Sequence, residues 1–346
     1  MVARKISATG LRVRRSIHAA CRRHRWTADS GRGSDFPEMI LCITPNPAID
    51  RTIILPRLVL GGVHRAQKII VAAGGKGLNV ARSIRTLGGE PLCMGFAGGH
   101  NGRLLADLAQ NDGFRCAWTW LNAETRTCTI LVSQPGDATV INEPGMPVSA
   151  SDWKRLQQDV LGQLTAVGQV CISGSLPPAS SAEDFRRLLS LLVDGGMQVW
   201  VDTSGIALEA ALAHPNIGVK VNGSEIGELL GFEVKDFDSA KRALSRLDNH
   251  GRRAFVITLG SVGALLVSME GRWYARGPQV DVVSTVGSGD SFLGGLVNAL
   301  DRGRPWPDAL RDAVAAGTAN ALLPGGGQFR LQDFEKIREQ VHLQPC

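Results

Sequence analysis

From residue 39 onward the chain alternates short uninterrupted apolar runs with segments of helical period. Ile40–Thr44, Leu92–Phe96, Gln169–Ile172, Gln198–Val201, Ile217–Val221, Ala254–Thr258 and Ala264–Val267 read as strands covered on both faces, because no polar residue alternates through them. Between them the apolar spacing predicts helices over 77–88, 101–112, 151–165, 181–195, 223–230 and 236–248. Two more, over 288–302 and 307–322, close the pattern. Such alternation predicts a three-layer α/β/α fold around a mostly parallel sheet. Residues 51–72 and 114–142 break the rhythm. Their strand-like runs, Thr52–Leu55, Lys68–Ala72, Arg126–Val132 and Ala138–Ile141, predict a small antiparallel β-sheet beside the main one, placed as a lid.

Charge changes this picture only at the N-terminus. The chain is formally +6, but residues 1–38 hold nine basic residues against Asp29, Asp35 and Glu38, which leaves 29 charges of each sign elsewhere. A neutral body without a basic cluster argues against a nucleic-acid surface. Residues 1–38 carry no strand-like run and no periodic apolar face, so they are expected to be a disordered or non-native tail, with a targeting peptide as the rival reading and Met39 as the expected start of the folded domain. That domain is expected to span 39–346. No apolar stretch approaches membrane-spanning length. The seven cysteines are scattered and form no C-x-x-C pair, which suits reduced core thiols in a cytoplasmic protein.

Chemistry concentrates in three loops. Gly287-Ser288-Gly289-Asp290 opens an amphipathic helix; small residues there leave amides free to meet an anion, and Asp290 stands in the first turn beside it as a candidate proton acceptor. Gly74-Gly75-Lys76-Gly77-x-Asn79 opens another helix, with glycines that admit a ligand, a mobile cation, and an amide able to pair with hydroxyls. Thr44-Pro45-Asn46-Pro47-Ala48-Ile49-Asp50 follows the first strand, where an open α/β sheet binds its ligands. Read singly, each is also a plain turn or helix start. Neither the dinucleotide G-x-G-x-x-G nor the P-loop pattern is present.

Together with Ser173-Gly174-Ser175-Leu176-Pro177, Asp202-x-Ser204-Gly205, Lys220-x-Asn222-x-x-Glu225 and Thr258-Leu259-Gly260-x-x-Gly263, these segments occur in an order that resembles the ribokinase-like PfkB carbohydrate kinases, most closely the 1-phosphofructokinase and tagatose-6-phosphate kinase branch. The resemblance runs from about residue 40 to about 340. It implies an ATP- and Mg²⁺-dependent kinase acting on a ketohexose phosphate, fructose 1-phosphate first, with 6-phosphofructokinase or tagatose-6-phosphate kinase activity as alternatives. By the same resemblance Asp290 is the general base, and the amides of Gly287, Ser288 and Gly289 form the anion hole. Asp50, Gly74, Gly75, Lys76, Asn79, Arg126 and Arg65 are implied as sugar-phosphate ligands. Lys220, Asn222, Glu225, Thr258, Gly260 and Gly263 are implied at the nucleotide, with Asn222 and Glu225 holding Mg²⁺ through water. A homodimer joined through the lid is implied too. Val221 in place of proline, Ser288 in place of alanine, and the glycine-rich Pro324–Gly327 turn depart from the pattern, the last leaving monovalent-cation dependence open. Two readings from other classes are a sugar-phosphate sensor without catalysis and a dinucleotide-binding oxidoreductase.

Overall fold

The computed structural model describes residues 39–134, 137–247 and 254–346; the expectations for residues 1–38 lie outside them. Among the described residues the main sheet has ten strands. In chain order they are β1 (Met39–Thr44), β4 (Pro91–Gly98), β5 (Arg115–Leu121), β8 (Val167–Ser173), β9 (Gln198–Asp202), β10 (Gly218–Asn222), β11 (Ala254–Thr258), β12 (Ala264–Ser268), β13 (Gly271–Arg276) and β14 (His342–Pro345). The remaining four, β2 (Ala48–Ile54), β3 (Lys68–Gly74), β6 (Arg126–Gln134) and β7 (Asp137–Asn142), form a separate small sheet ordered β3-β2-β6-β7. It is mixed where an antiparallel sheet was expected, because β6 reaches β2 through the long excursion by way of β4 and β5 and pairs with it in parallel.

The main sheet runs β14-β13-β12-β11-β10-β9-β8-β1-β4-β5. It is parallel from β5 to β11 and antiparallel through β12, β13 and β14. Chain order reverses between β1 and β8, which makes their carboxyl ends the switch point where such sheets open a ligand crevice. Helices cover both faces. One layer holds α1 (Lys76–Thr86), α2 (Gly99–Asn111), α8 (Ser288–Asp301), α9 (Trp306–Asn320) and α10 (Leu331–Gln340); the other holds α3 (Ala150–Leu161), α4 (Ala182–Asp194), α5 (Gly205–Leu212), α6 (Gly223–Leu230) and α7 (Phe237–Arg246). Strand β1 shows why the apolar runs lack alternation: Leu41 and Ile43 enter one core, Ile40 and Cys42 the other.

The architecture is otherwise the expected one, with four further differences. Residues 115–121, expected in the second lid segment, form β5 at an edge of the main sheet; Arg115, Trp118 and Trp120 disguise an edge strand that is only partly covered. Helix α3 ends at Leu161, with a 3₁₀ turn at Leu164–Ala166, where a single helix to 165 was expected. Helix α5 carries no readable period because Ala207, Leu208, Ala210, Ala211 and Leu212 are all buried. Strands β13 and β14 and helix α10 also lack a sequence signal: the strands extend an antiparallel edge with mixed, half-exposed residues, and the helix buries only Phe334 and Ile337.

Candidate active site

Two glycine-opened helices meet at the switch point. Gly75 caps α1 at φ 110° and Gly287 caps α8 at φ 79°; neither helix has a side-chain cap, so amides of the first turns stay available. Gly287 has a second reason to be glycine. A Cβ there would lie 2.4 Å from Gly326 Cα, because the Pro324–Gly327 turn closes directly over it. Asn320 fixes that approach: its Nδ2 donates to the Val286 carbonyl at 2.8 Å, and its Oδ1 accepts from the Gln328 amide at 3.1 Å. Of the expected anion-hole amides, that of Ser288 turns back to the Thr285 carbonyl at 3.2 Å.

Asp290 is buried, and Asn79 Nδ2 donates to its Oδ2 at 2.8 Å. This bond joins the helix start expected to bind sugar to the one expected to meet phosphate. Arg82, which sequence reasoning passed over, decides the amide's orientation. Its guanidinium donates to Asn79 Oδ1 at 3.0 Å, to the Gly326 carbonyl at 2.9 Å and to the Ala73 carbonyl at 2.7 Å, and pairs with Asp112 at 2.7 Å. With Oδ1 engaged by a permanent cation, the amide must present its donor to Asp290. Burial raises the Asp290 carboxyl above the usual range, against the opposing pull of Lys76 and the Asn79 bond. A raised carboxyl is the tuning a proton acceptor needs near neutrality.

Asp50 faces the same space. Its carboxyl is in contact with Gly74, where a Cβ would lie 2.1 Å from Asp50 Cγ, and it accepts from the Gly75 amide. Desolvation pushes it up to about 6, with Arg82 and Arg126 holding it down and Asp290 pushing it further up. Arg126 reaches in from β6, donating to the Glu143 carbonyl at 3.0 Å and the Asn46 carbonyl at 3.1 Å, while its buried Nε has no acceptor among the described residues.

Asp202, quoted in a motif but given no role from sequence, organises the cations. It is fully buried at the end of β9, with Lys220 Nζ donating to Oδ2 at 2.8 Å and Lys76 Nζ 3.5 Å from Oδ1. Burial alone would raise this carboxyl; Lys220 first and Lys76 next outweigh it and hold it below the usual range. Lys76 is raised in turn, chiefly by Asp202. Lys220 Nζ also lies 2.8 Å from the point where a Cβ on Gly289 would stand, so that glycine admits the lysine to the α8 turn. Thr44 Oγ1 and Ser173 Oγ, at the carboxyl ends of neighbouring strands β1 and β8, are buried without a hydrogen-bond partner among the described residues. Orphaned polar atoms in one crevice are what a ligand or ordered water would satisfy.

Asn222 and Glu225 form a reciprocal capping box on α6. The Glu225 amide donates to Asn222 Oδ1 at 2.8 Å, and the Asn222 amide to Glu225 Oε2 at 2.9 Å. Glu225 Oε1 is 3.6 Å from Lys76 Nζ, on the site side of the box. Thr258 ends β11 beside them, its hydroxyl donating to the Val221 carbonyl at 3.3 Å. Gly260 (φ 58°) and Gly263 (φ 132°) take conformations open to glycine, and a Cβ on Gly263 would strike the Ala275 carbonyl at 2.3 Å. Arg65 stands apart from the cluster's buried members: it is exposed on the loop between β2 and β3.

This site, at the switch point of a sheet with a small β-sheet alongside, has the form of a ribokinase-like phosphotransferase. The pfkB family carbohydrate kinase model matches residues 44–331, and the chain belongs to that family. It is 32% identical over 306 residues to the 1-phosphofructokinase of Escherichia coli strain K12, covering 88% of this chain and 98% of that protein. It is 34% identical over 308 residues to the 1-phosphofructokinase of Haloferax volcanii, with the same coverage. Among solved structures, the tetrameric inhibited form of phosphofructokinase-2 from E. coli superposes with a TM-score of 0.79 at 32% identity, covering 87% of this chain and 98% of that one. The potassium complex of the same enzyme gives 0.80 at 31% identity, covering 88% and 99%. The chain is therefore a carbohydrate kinase, a phosphotransferase with an alcohol acceptor, and the family implies ATP as donor.

Proposed function

We propose that the protein phosphorylates a ketohexose phosphate, with fructose 1-phosphate as first substrate and fructose 1,6-bisphosphate as product. The observation that carries this reading is the Asn79–Asp290 hydrogen bond, which sets a raised carboxylate between a hydroxyl-binding loop and an anion-binding helix start. Asp50 and Asn79 hold sugar hydroxyls, and Arg126, with a free buried Nε, grips the phosphate already on the sugar. Asp290 takes the proton of the attacking hydroxyl, while Lys76, Lys220 and the amides at the start of α8 hold the charge on the transferred group. The 1-phosphofructokinase relatives favour fructose 1-phosphate. Fructose 6-phosphate, present in a complex of the structurally similar phosphofructokinase-2, and tagatose 6-phosphate are the alternatives. Asp290 is intact, which disfavours a sensor without catalysis.

Among the described residues no group of three or more His, Cys, Asp or Glu side chains is arranged to hold a metal. Mg²⁺ keeps its waters and leans on one or two carboxylates plus phosphate oxygens. Glu225, with Oε1 turned to the site and Oε2 in the capping box, would hold its waters, assisted by Asn222. When bound with ATP, Mg²⁺ supplies charge neutralisation on the phosphates. Lys220, Thr258, Gly260 and Gly263 would line the nucleotide. A monovalent cation near the Pro324–Gly327 turn belongs to this reading too, supported by the potassium complex of the similar phosphofructokinase-2, with the Gly326 carbonyl itself already accepting from Arg82.

A homodimer through the small sheet is part of this reading: Ile69, Val71 and Ile141 lie exposed on one of its faces. Arg65 would then serve a neighbouring subunit's site. No described helix is long and apolar enough to cross a membrane, and the reading places the enzyme in the cytoplasm. A coupled ADP-release assay across phosphorylated ketohexoses with Mg-ATP tests the function. Turnover highest with fructose 1-phosphate is expected; no turnover on any member would refute it.

A further inference from the structure

Four of the cysteines that look scattered in sequence form one row in space. Strand register sets Cys171 beside Cys42, Cys42 beside Cys93, and Cys93 beside Cys116, across the adjacent parallel strands β8, β1, β4 and β5. Residues paired in register share a face, and all four point to the layer of α1 and α2. Neighbouring strands lie about 4.8 Å apart, within the Cα separations found in disulfides, and the Cys93 and Cys116 side chains are close enough to hydrogen-bond. The row is graded in exposure. Cys171 and Cys42, whose sulfurs are 3.4 Å apart, are fully buried, Cys93 is 1% exposed, and Cys116, on the outermost strand, is partly open to solvent.

We propose that Cys116 and Cys93 are a dithiol site that a hydroperoxide oxidises to an inter-strand disulfide. The Cys116 sulfur attacks the terminal peroxide oxygen, the O–O bond breaks, and the leaving oxygen takes a proton to become alcohol or water. The resulting sulfenic acid is then attacked by the Cys93 sulfur. The S–O bond breaks, and its oxygen leaves as water with the proton that Cys93 gives up. In sum, two thiols lose two electrons and two protons, and one hydroperoxide becomes one alcohol and one water. Three observations select this pair. Cys116 is the one member of the row that solvent reaches. The hydrogen bond from Cys93 holds the Cys116 thiol below the usual range, against the rise that its partial burial would cause, so its thiolate fraction is the larger. Burial holds Cys42 and Cys93 well above that range, so oxidation starts at Cys116 and Cys42 stays a thiol. Cys346 is exposed, yet burial of its thiol raises it and it has no neighbouring thiol in the described residues, so exposure alone would pick the wrong residue.

The test is peptide mapping of the full chain after limited hydrogen peroxide, with remaining thiols alkylated in denaturant. The Cys93–Cys116 linked peptide should accumulate before any other disulfide. Cys116→Ser should abolish it and leave Cys93 alkylatable, and Cys93→Ser should leave Cys116 trappable by dimedone. A different disulfide forming first, or Cys346 reacting while Cys116 stays reduced, would overturn the proposal. The readout is chemical, so it stands whichever sugar the enzyme prefers.

Discussion

Replacing Lys220 with methionine isolates the electrostatic centre of the site. The side chains are close in length, so the change removes a charge more than a volume. Wild-type Asp202 is fully buried and is held in its charged form chiefly by Lys220 at 2.8 Å, with Lys76 at 3.5 Å as the weaker partner. Removing one partner of a buried ion pair costs about 3–5 kcal/mol. Lys76 remains, so a loss near the lower end, about 3 kcal/mol, is expected at neutral pH from urea unfolding. The sign with pH is a second check. In the wild type the depressed Asp202 carboxyl contributes stability that is present above the ordinary unfolded value and lost only as pH falls through the lower folded one. In the variant desolvation dominates and the carboxyl rises, so the folded state gains by taking up a proton. The deficit against wild type should therefore shrink between pH 7 and pH 5. A variant as stable as wild type at pH 7, or a deficit that widens on acidification, would refute the account of Asp202.

Arg126→Ala should raise KM for a phosphorylated ketohexose far more than for its unphosphorylated parent, since a charge-assisted contact of about 1.5–3 kcal/mol exists only with the former; equal losses would make Arg126 structural. Arg82→Leu removes the strongest charge holding Asp50 down, so the Asp50 carboxyl, at about 6 in the wild type, should titrate at higher pH by carbon-13 NMR. An unmoved titration would show that Arg82 does not act on Asp50. Gly287→Ala should lose at least about 1–2 kcal/mol from its left-handed backbone, and more from the 2.4 Å approach to Gly326; wild-type stability and turnover would contradict the closed turn.

The sequence exposed what repeats along one strand or one helix. Buried strands such as β1 announce themselves as unbroken apolar runs, and the glycine starts of α1 and α8 were legible because the backbone there needs glycine. What stayed hidden depends on residues far apart in the chain. Arg82 looks like a polar position on an amphipathic helix until Asn79, Gly326, Ala73 and Asp112 are seen around it. Asp202 gains its role only from two lysines brought by β10 and α1. The cysteine row is invisible without strand register, because its members come from four different segments. Strand β5 was misplaced because an edge strand carries no two-sided apolar signal.

The central claim is that Asp290, set by Asn79 and raised by burial, removes the proton of the attacking sugar hydroxyl. Its most direct test is Asp290→Asn, an isosteric change, with kcat for fructose 1-phosphate and ATP affinity measured on the same preparation. The account predicts a fall in kcat of roughly 10²–10⁴-fold with ATP affinity nearly unchanged. A variant that turns over at a near-normal rate would contradict it.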